Sequence, residues 1–167
     1  SCWNFMQISP LSIRKTLTYR QVNTGRIQDV FPLLCPIREL DWLDGWQCTL
    51  VHSTSGLIEQ GCVFTTPHHG KQETTWYVTL HDPKNYSVEF VRVTPGESVV
   101  KISIVLQAIS QDSTEANITY EYTSLSEAQN RFIQTELELE FKRSMMWWEK
   151  AINHYLKTGE KLLKSSL

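Results

Sequence analysis

Six strand-length segments joined by short turns constrain the fold of this chain more than any other feature. In one of them, Val100, Ile102 and Ile104 alternate with Lys101 and Ser103, which is the period-two pattern of a strand with one buried face. Gaps of a few residues, rich in turn-forming side chains, favour antiparallel hairpins between neighbours. We therefore predict strands near residues 46–54, 60–66, 73–81, 86–94, 98–109 and 114–124.

A further strand and two short helices are predicted before this run. Residues 11–23 alternate between apolar and polar side chains, as a half-buried strand does. Ile27, Val30 and Leu34 follow at helical spacing, and Pro36 ends or kinks that helix. A second short helix is predicted over residues 37–43.

The last element is predicted to be one long helix. Ser126 followed by Gln129 is a capping-box pattern at its start, and Gly159 can end it after Thr158. A helix of about 32 residues spans about 48 Å. One of its faces carries an apolar stripe, formed by Ile133, Leu137, Phe141, Met145, Trp148, Ile152 and Leu156.

Together these elements predict an α+β domain in which a curved antiparallel sheet of seven strands clamps the last helix. A curved sheet cannot touch a straight helix along its whole length, so a cavity with apolar walls should remain between them. The chain has six tryptophans in 167 residues, and large flat side chains of this kind line ligand pockets. We interpret residues 11–167 as one domain and residues 1–10 as an N-terminal extension.

Charge and cysteine content narrow the classes of partner. The net charge is −2 and no basic stripe stands out, which argues against nucleic acid. No apolar run approaches the roughly 20 residues of a membrane span, and the first ten residues lack a signal-peptide pattern. Cys2, Cys35, Cys48 and Cys62 form no C-x-x-C pair. We therefore expect buried or free thiols, no metal site, and a reducing, cytoplasmic location.

Five stretches of the chain resemble the START-like, or SRPBCC, superfamily. They are VFPLLCPIRELDWLDGW at 30–46, GCVF at 61–64, TWYVTLHDP at 75–83, FVRVTP at 90–95 and TYEYTSLSEAQN at 119–130. The resemblance covers about residues 11–158 and is to the uncharacterised bacterial branch grouped with polyketide cyclase/dehydrase and lipid-transport proteins. It implies a helix-grip fold with a hydrophobic cavity. It does not imply one activity, because members bind lipids, hormones or polyketides and only some are catalysts.

The predicted cavity wall is mostly aromatic. Buried Tyr hydroxyls and Trp N–H groups need partners, so they can orient a ligand carbonyl or hydroxyl. The alternative is a fully packed core with no usable void. The candidate ligand-binding residues are Trp42, Trp46, Phe64, Trp76, Phe90, Arg92, Tyr120, Tyr122, Phe141, Met145 and Trp148.

Arg92 is the charged member of this set. It shares a strand phase with Val88 and Phe90. If that face points inward, the guanidinium needs an acidic side chain or an anionic ligand group, because a lone buried charge is very costly. The alternatives are a structural salt bridge or the opposite phase.

The sequence contains no recognisable catalytic motif, and we expect no cofactor. His68 and His69 are interpreted as exposed loop histidines. His81 has the opposite strand phase to Trp76 and Leu80, so it should face solvent if those two residues face the cavity.

Three functions remain open from the sequence. The first is binding or carriage of a small hydrophobic, lipid- or polyketide-like ligand. The second is a cyclase, aromatase or dehydrase in which a Tyr or Arg92 polarises a carbonyl. The third is a non-catalytic homodimer formed through a second apolar line on the last helix, Phe132, Leu139 and Met146. That line can instead pack against a neighbouring loop or the short helices.

Overall fold

Seven antiparallel strands form one curved sheet in the computed structural model, which describes residues 12–166. Neighbours follow the order β1-β7-β6-β5-β4-β3-β2, so β1 and β2 are the edges. The predicted α+β class and the antiparallel sheet are confirmed. The strands are β1 (Arg14–Asn23), β2 (Thr49–His52), β3 (Val63–Pro67), β4 (Glu73–Asp82), β5 (Ser87–Thr94), β6 (Ser98–Ser110) and β7 (Ser113–Ser124). The predicted extension 1–10, Leu11 and Cys2 lie outside the described residues.

Short helices connect β1 to β2, as predicted. Helix α1 (Ile27–Val30) continues into a 3₁₀ turn (Phe31–Leu34), and α2 (Pro36–Trp42) follows. Pro36 is the first residue of α2, where its missing N–H costs nothing. Val30, Leu33 and Leu34 are buried, and they fix this segment against the core.

The last helix is divided, which corrects the prediction of one continuous helix. Helix α3 (Glu127–Thr135) and helix α4 (Leu137–Thr158) meet at Glu136, whose φ of −126° is not helical. Ser126 caps α3 by accepting a hydrogen bond from the Gln129 N–H at 3.1 Å, and Gly159 ends α4 in the left-handed conformation. Near the break, the Thr135 hydroxyl donates to the Arg131 carbonyl at 2.7 Å. Such back-bonding bends helices.

A bulge in β4 corrects the predicted exposure of His81. The register of β4 against β5 shifts between Val78 and Leu80, so the side chains beyond it change face. Trp76 and Val78 are buried, whereas Leu80 is exposed. The ring of His81 is partly buried and stacks on Phe31 with centroids 5.7 Å apart. Desolvation lowers the pKa of His81 accordingly.

Hydrogen bonds hold one side of α4 against the edge strand β1. The Glu149 carboxylate accepts from the Tyr19 hydroxyl and from the Val22 N–H, each at 2.8 Å. Burial and this carboxylate raise the pKa of Tyr19 to about 12. Because α4 is fixed at the edge of a curved sheet, the central strands β4–β7 curve away from it. That separation leaves the space described next.

Candidate ligand-binding cavity

The space between sheet and helix forms a chamber of about 680 Å³, here called the inner chamber. Strands β3–β7 contribute one wall, and α2, the following loop and α4 contribute the other. Its apolar lining consists of Leu34, Pro36, Leu43, Trp46, Phe64, Trp76, Phe90, Ile102, Ile104, Ile118, Tyr120, Met145, Trp147 and Trp148. A void of this size between packed elements has the dimensions of a small-molecule pocket.

A second chamber, also of about 680 Å³, lies beside the first and is here called the outer chamber. It is more polar. Thr66, Thr74 and Thr94 line it from the strands, and Glu97 and Glu140 contribute carboxylates. The two chambers share the side chains of Trp46, Trp76, Arg92, Tyr120, Ser144 and Met145, together with Gly45. We call these shared residues the neck.

Arg92 enters the neck from the centre of the sheet. Across neighbouring strands its Cα partners are Trp76 on β4 and Val100 on β6, and Val100 in turn pairs with Tyr122 on β7. One guanidinium N–H donates to the Tyr122 hydroxyl at 3.1 Å. The guanidinium carbon lies 5.2 Å from the ring centre of Trp76 and 5.6 Å from that of Tyr120. The inward phase considered for Arg92 is therefore the one that the structure has.

The aromatic side chains around the neck hold one another in place. Trp76 stacks on Phe64 with centroids 5.2 Å apart and meets Trp46 edge-on at 6.1 Å. Its indole N–H donates to the Thr66 hydroxyl at 2.9 Å. The Trp46 N–H donates to the Pro36 carbonyl at 2.8 Å. These contacts fix the rings, so the wall of the cavity is preorganised.

Glu39 is an ionisable wall residue that sequence reasoning missed. It projects from α2 into the inner chamber, and its carboxyl has no hydrogen-bond or ion-pair partner within residues 12–166. Burial raises the pKa of this carboxyl well above its usual value. The available signal was weak. A helix of seven residues that buries Pro36 and Trp42 has little room to turn Glu39 fully towards solvent.

Ten of the eleven predicted wall residues border one chamber or both. Tyr122 and Phe141 line only the outer chamber, and Phe64, Phe90 and Trp148 line only the inner one. Trp42 is the exception. Its ring is fully buried, donates to the Leu33 carbonyl at 2.9 Å, and packs edge-on behind Trp148. Trp42 therefore supports the wall from behind, and ligand binding by the other ten stays a prediction.

Several solved structures have the same arrangement of a curved sheet and a long helix. The norcoclaurine synthase of Thalictrum flavum, in complex with dopamine and hydroxybenzaldehyde, superposes with a TM-score of 0.65 at 13% identity, covering 87% of each chain. The Zhui aromatase/cyclase from Streptomyces sp. R1128 superposes with a TM-score of 0.64 at 11% sequence identity, covering 87% of this chain and 94% of that one. Ara h 8.0201 superposes with a TM-score of 0.65 at 13% sequence identity, covering 87% of this chain and 99% of that one.

The chain has the START-like, helix-grip fold. This confirms the fold that the sequence resemblance implied. A scan against protein-family models and a search of curated proteins found no match. At 11–13% identity, the structural likeness establishes the START-like fold and leaves the ligand to be argued from the side chains.

The two loop histidines border the outer chamber of this START-like fold. His68 lies 2.9 Å from a carboxylate oxygen of Glu97, which belongs to the turn between β5 and β6. Its ring centroid lies 4.2 Å from that of His69. His69 is exposed, as predicted, whereas His68 is partly buried against Glu97. Within residues 12–166, no group of three or more potential ligands is arranged to hold a metal ion.

A C-terminal strap, Leu162–Lys164, borders the inner chamber through Lys164. Leu162 pairs with Leu43, and the Lys164 N–H donates to the Asp44 carboxylate at 3.0 Å. The Lys164 ammonium lies 5.3 Å from the ring centre of Trp147. The strap thus links the loop after α2 to α4 beside the inner chamber.

The structure also bears on the predictions for the cysteines and for a membrane span. The described cysteines, Cys35, Cys48 and Cys62, carry free thiols. Burial raises the pKa of the Cys48 and Cys62 thiols, which keeps them protonated and unreactive. No helix within the described part of the chain is long and apolar enough to span a membrane.

Proposed function

We propose that this protein binds a small, largely apolar ligand of lipid-like or polyketide-like character in the inner chamber. One observation carries the proposal, namely a pocket of about 680 Å³ between the sheet and α4 that is walled mainly by aromatic and aliphatic side chains. A pocket of this size with a mainly apolar wall is typical of a small-molecule site. The ligand-binding role of the ten wall residues is part of this proposal.

Burial of apolar surface supplies the binding energy. Each Å² of apolar surface removed from water stabilises the complex by about 25 cal/mol, before the costs of ordering the ligand. Those costs stay low on the protein side because Phe64, Trp46 and Trp76 are already fixed by stacking and by hydrogen bonds. A rigid apolar wall therefore favours binding without a large rearrangement.

Uptake of the neutral fluorophore Nile red tests this function. We expect the purified chain to bind the dye, and expect Ile104→Trp, which fills the inner chamber, to weaken binding by at least about tenfold. Val105→Trp is the matched control, because Val105 is the next residue of β6 and points to the exposed face. Absence of uptake by the parent, or equal uptake by both variants, would contradict carriage in this chamber.

A cyclase-type enzyme acting on a polyketide-like substrate is the second candidate. The observation that favours it is that Glu39, Arg92 and Tyr120 all border the inner chamber. In an intramolecular aldol closure, a methylene carbon attacks a ketone carbon, and the methylene proton is transferred to the new hydroxyl oxygen. Arg92 or Tyr120 would polarise the ketone, and Glu39 in its carboxylate form would take the methylene proton and return it to the new hydroxyl oxygen.

Incubation with a linear poly-β-ketone thioester distinguishes the enzyme from a carrier. An enzyme would form the cyclised chromophore faster than the uncatalysed background, and Glu39→Gln would slow it by roughly a hundredfold. Glu160→Gln, at an exposed site beyond α4, is the control. Background rates with the parent would exclude catalysis of this closure and leave carriage in place.

Three further sequence predictions stay predictions: a homodimer, a cytoplasmic location and the absence of nucleic-acid binding. Leu139 and Met146 are exposed on α4, whereas Phe132 lies on α3 and lines the outer chamber. The break at Glu136 therefore leaves only two residues of the predicted dimer line on one helix. A homodimer through them requires a solution mass near twice 19.4 kDa that Leu139→Glu reduces to 19.4 kDa. A cytoplasmic location and the absence of nucleic-acid binding likewise remain to be measured.

A further inference from the structure

The Arg92 guanidinium is a permanent charge without an opposing charge. Within residues 12–166, no carboxylate oxygen lies within 4.0 Å of it. A guanidinium has five N–H donors, and the described protein accepts from it only through the Tyr122 hydroxyl. An arginine cannot lose its proton to escape this situation. Its remaining donors face the neck, where both chambers reach it.

The nearby aromatic rings stabilise the cation without neutralising it. Trp76, Tyr120 and Tyr122 place their ring centres 5.2, 5.6 and 5.8 Å from the guanidinium carbon. Each such contact attracts the cation to the face of a ring. The Tyr122 hydroxyl accepts from one N–H of the guanidinium, which leaves the other N–H groups for a ligand. A fork of guanidinium N–H groups matches a planar carboxylate in a bidentate way.

The acidic groups of the cavity do not supply that carboxylate. Glu39 borders the inner chamber, and desolvation raises the pKa of its carboxyl. Glu140 borders the outer chamber from the exposed side of α4. Asp44, in the inner chamber, accepts the Lys164 N–H, and Glu97, in the outer chamber, lies 2.9 Å from His68. None of these four carboxylates makes an ion pair with Arg92. The described residues therefore supply no opposing charge for Arg92, and the neck leaves room for a ligand to supply one.

We propose that the ligand is an apolar monocarboxylate whose carboxylate pairs with Arg92 in the neck and whose apolar body fills the inner chamber. This inference rests on the proposed carrier function and specifies its ligand class. The polarity of the two chambers gives the orientation. The inner chamber accepts the hydrocarbon, and the threonine-lined outer chamber offers hydroxyls to the carboxylate oxygens that Arg92 leaves free.

Matched acids and alcohols test the charge directly. Nile red bound to the full chain is displaced at pH 7.5 with dodecanoate or 1-dodecanol, and separately with 2-naphthoate or 2-naphthylmethanol. We expect the acid of at least one pair to displace the dye at a concentration at least about tenfold lower than its alcohol. The pair that shows the preference distinguishes an aliphatic acid from an aromatic one.

Variants of Arg92 assign that preference to its side chain. Arg92→Met should abolish the preference for the acid, measured within the variant as the ratio of the acid and alcohol concentrations that displace the dye, whatever its own affinity for Nile red. Arg92→Lys should keep part of the preference for the acid, because the positive charge remains, and lose part of it, because an ammonium lacks the bidentate fork. Arg131→Met, at an exposed position on α3, is the control and should behave as the parent does.

The outcomes separate this inference from the carrier function. Dye uptake with equal displacement by acid and alcohol overturns the monocarboxylate and leaves the carrier. A preference for the acid that survives in Arg92→Met also overturns it. Failure of the parent to bind dye, acid and alcohol alike overturns the carrier function itself. If Arg92→Met does not fold, as judged by circular dichroism, the parent's preference and the Arg92→Lys variant decide.

Discussion

Glu39 is the residue at which burial and charge are most directly opposed. Its carboxyl borders an apolar chamber, and burial raises its pKa above the ordinary value of 4.5. As the pH rises past 4.5, the unfolded chain loses this proton while the folded chain retains it. The free energy of unfolding therefore falls with rising pH until the folded carboxyl also ionises. Below pH 4.5 the stabilising contribution of the protonated form is fully present.

We expect Glu39→Gln to remove this loss of stability. The difference in free energy of unfolding, variant minus parent, should be smallest near pH 4 and should grow towards pH 8. Urea unfolding of both chains at several pH values measures it. Glu160→Gln, at an exposed position, is the control and should show a constant difference. A difference that stays flat for Glu39→Gln would mean that this carboxyl ionises normally in the folded chain.

Strand phase grouped Arg92 with Val88 and Phe90 but left open whether that face points inward, and it did not apply to Trp42, which lies on helix α2. A period of two places Val88, Phe90 and Arg92 on one face, and the structure has all three on the face towards the helix. Sequence could not identify the partner of Arg92, because Tyr122 reaches it from β7, two strands away. Whether the Trp42 side chain reaches the cavity depends on how α2 is rotated against α4, and no local sequence pattern specifies that rotation.

At the scale of elements, the start of helix α3 depends on one capping residue, Ser126, and a single substitution can test it. The Ser126 hydroxyl accepts from the Gln129 N–H, one of the donors that a helix start leaves without a partner. Ser126→Ala should lower the free energy of unfolding by about 1 kcal/mol. Urea denaturation checks this, with the exposed Ser165→Ala as a control that should change nothing. Equal midpoints for the two variants would show that α3 depends on packing alone.

The irregular points within elements were not predictable from periodicity. The β4 bulge reverses the faces of Leu80 and His81, and the break at Glu136 separates Phe132 from Leu139. Neither site contains a Pro or a Gly that would signal an interruption. Both arise because a strand or helix must follow a curved surface, and curvature is a property of the assembled sheet. Existence and order of the elements, by contrast, followed from alternation and turn spacing.

At the scale of the whole molecule, the cavity follows from how the parts are joined. Helix α4 is bonded to the edge strand β1 through Glu149, so it cannot settle onto the central strands. The two chambers of the cavity meet at the neck. Among the described residues that line both chambers, Arg92 is the one with a permanent charge. Fold, hollow and charge therefore favour an amphipathic ligand over a purely apolar one.

The strap beside the inner chamber should control how fast a ligand exchanges. It is held by the Lys164 N–H, which donates to the Asp44 carboxylate, and by the pairing of Leu43 with Leu162. Asp44→Ala removes one hydrogen bond, worth about 1 kcal/mol, and should raise the release rate of Nile red roughly fivefold. Association should accelerate by a similar factor, so Kd should change little, because Asp44 is one polar member of a mainly apolar wall whose other residues are unchanged.

Stopped-flow mixing measures both rates, and Asp41→Ala is the matched control. Asp41 lies one turn earlier on α2 and pairs with Arg38 at the surface, away from the strap. We expect the parent rates for that variant. Unchanged rates in Asp44→Ala would show that the dye enters elsewhere, and the outer chamber would then be the route to examine, because the neck connects it to the same wall. A weakened Kd with unchanged association would instead assign Asp44 to the binding wall itself.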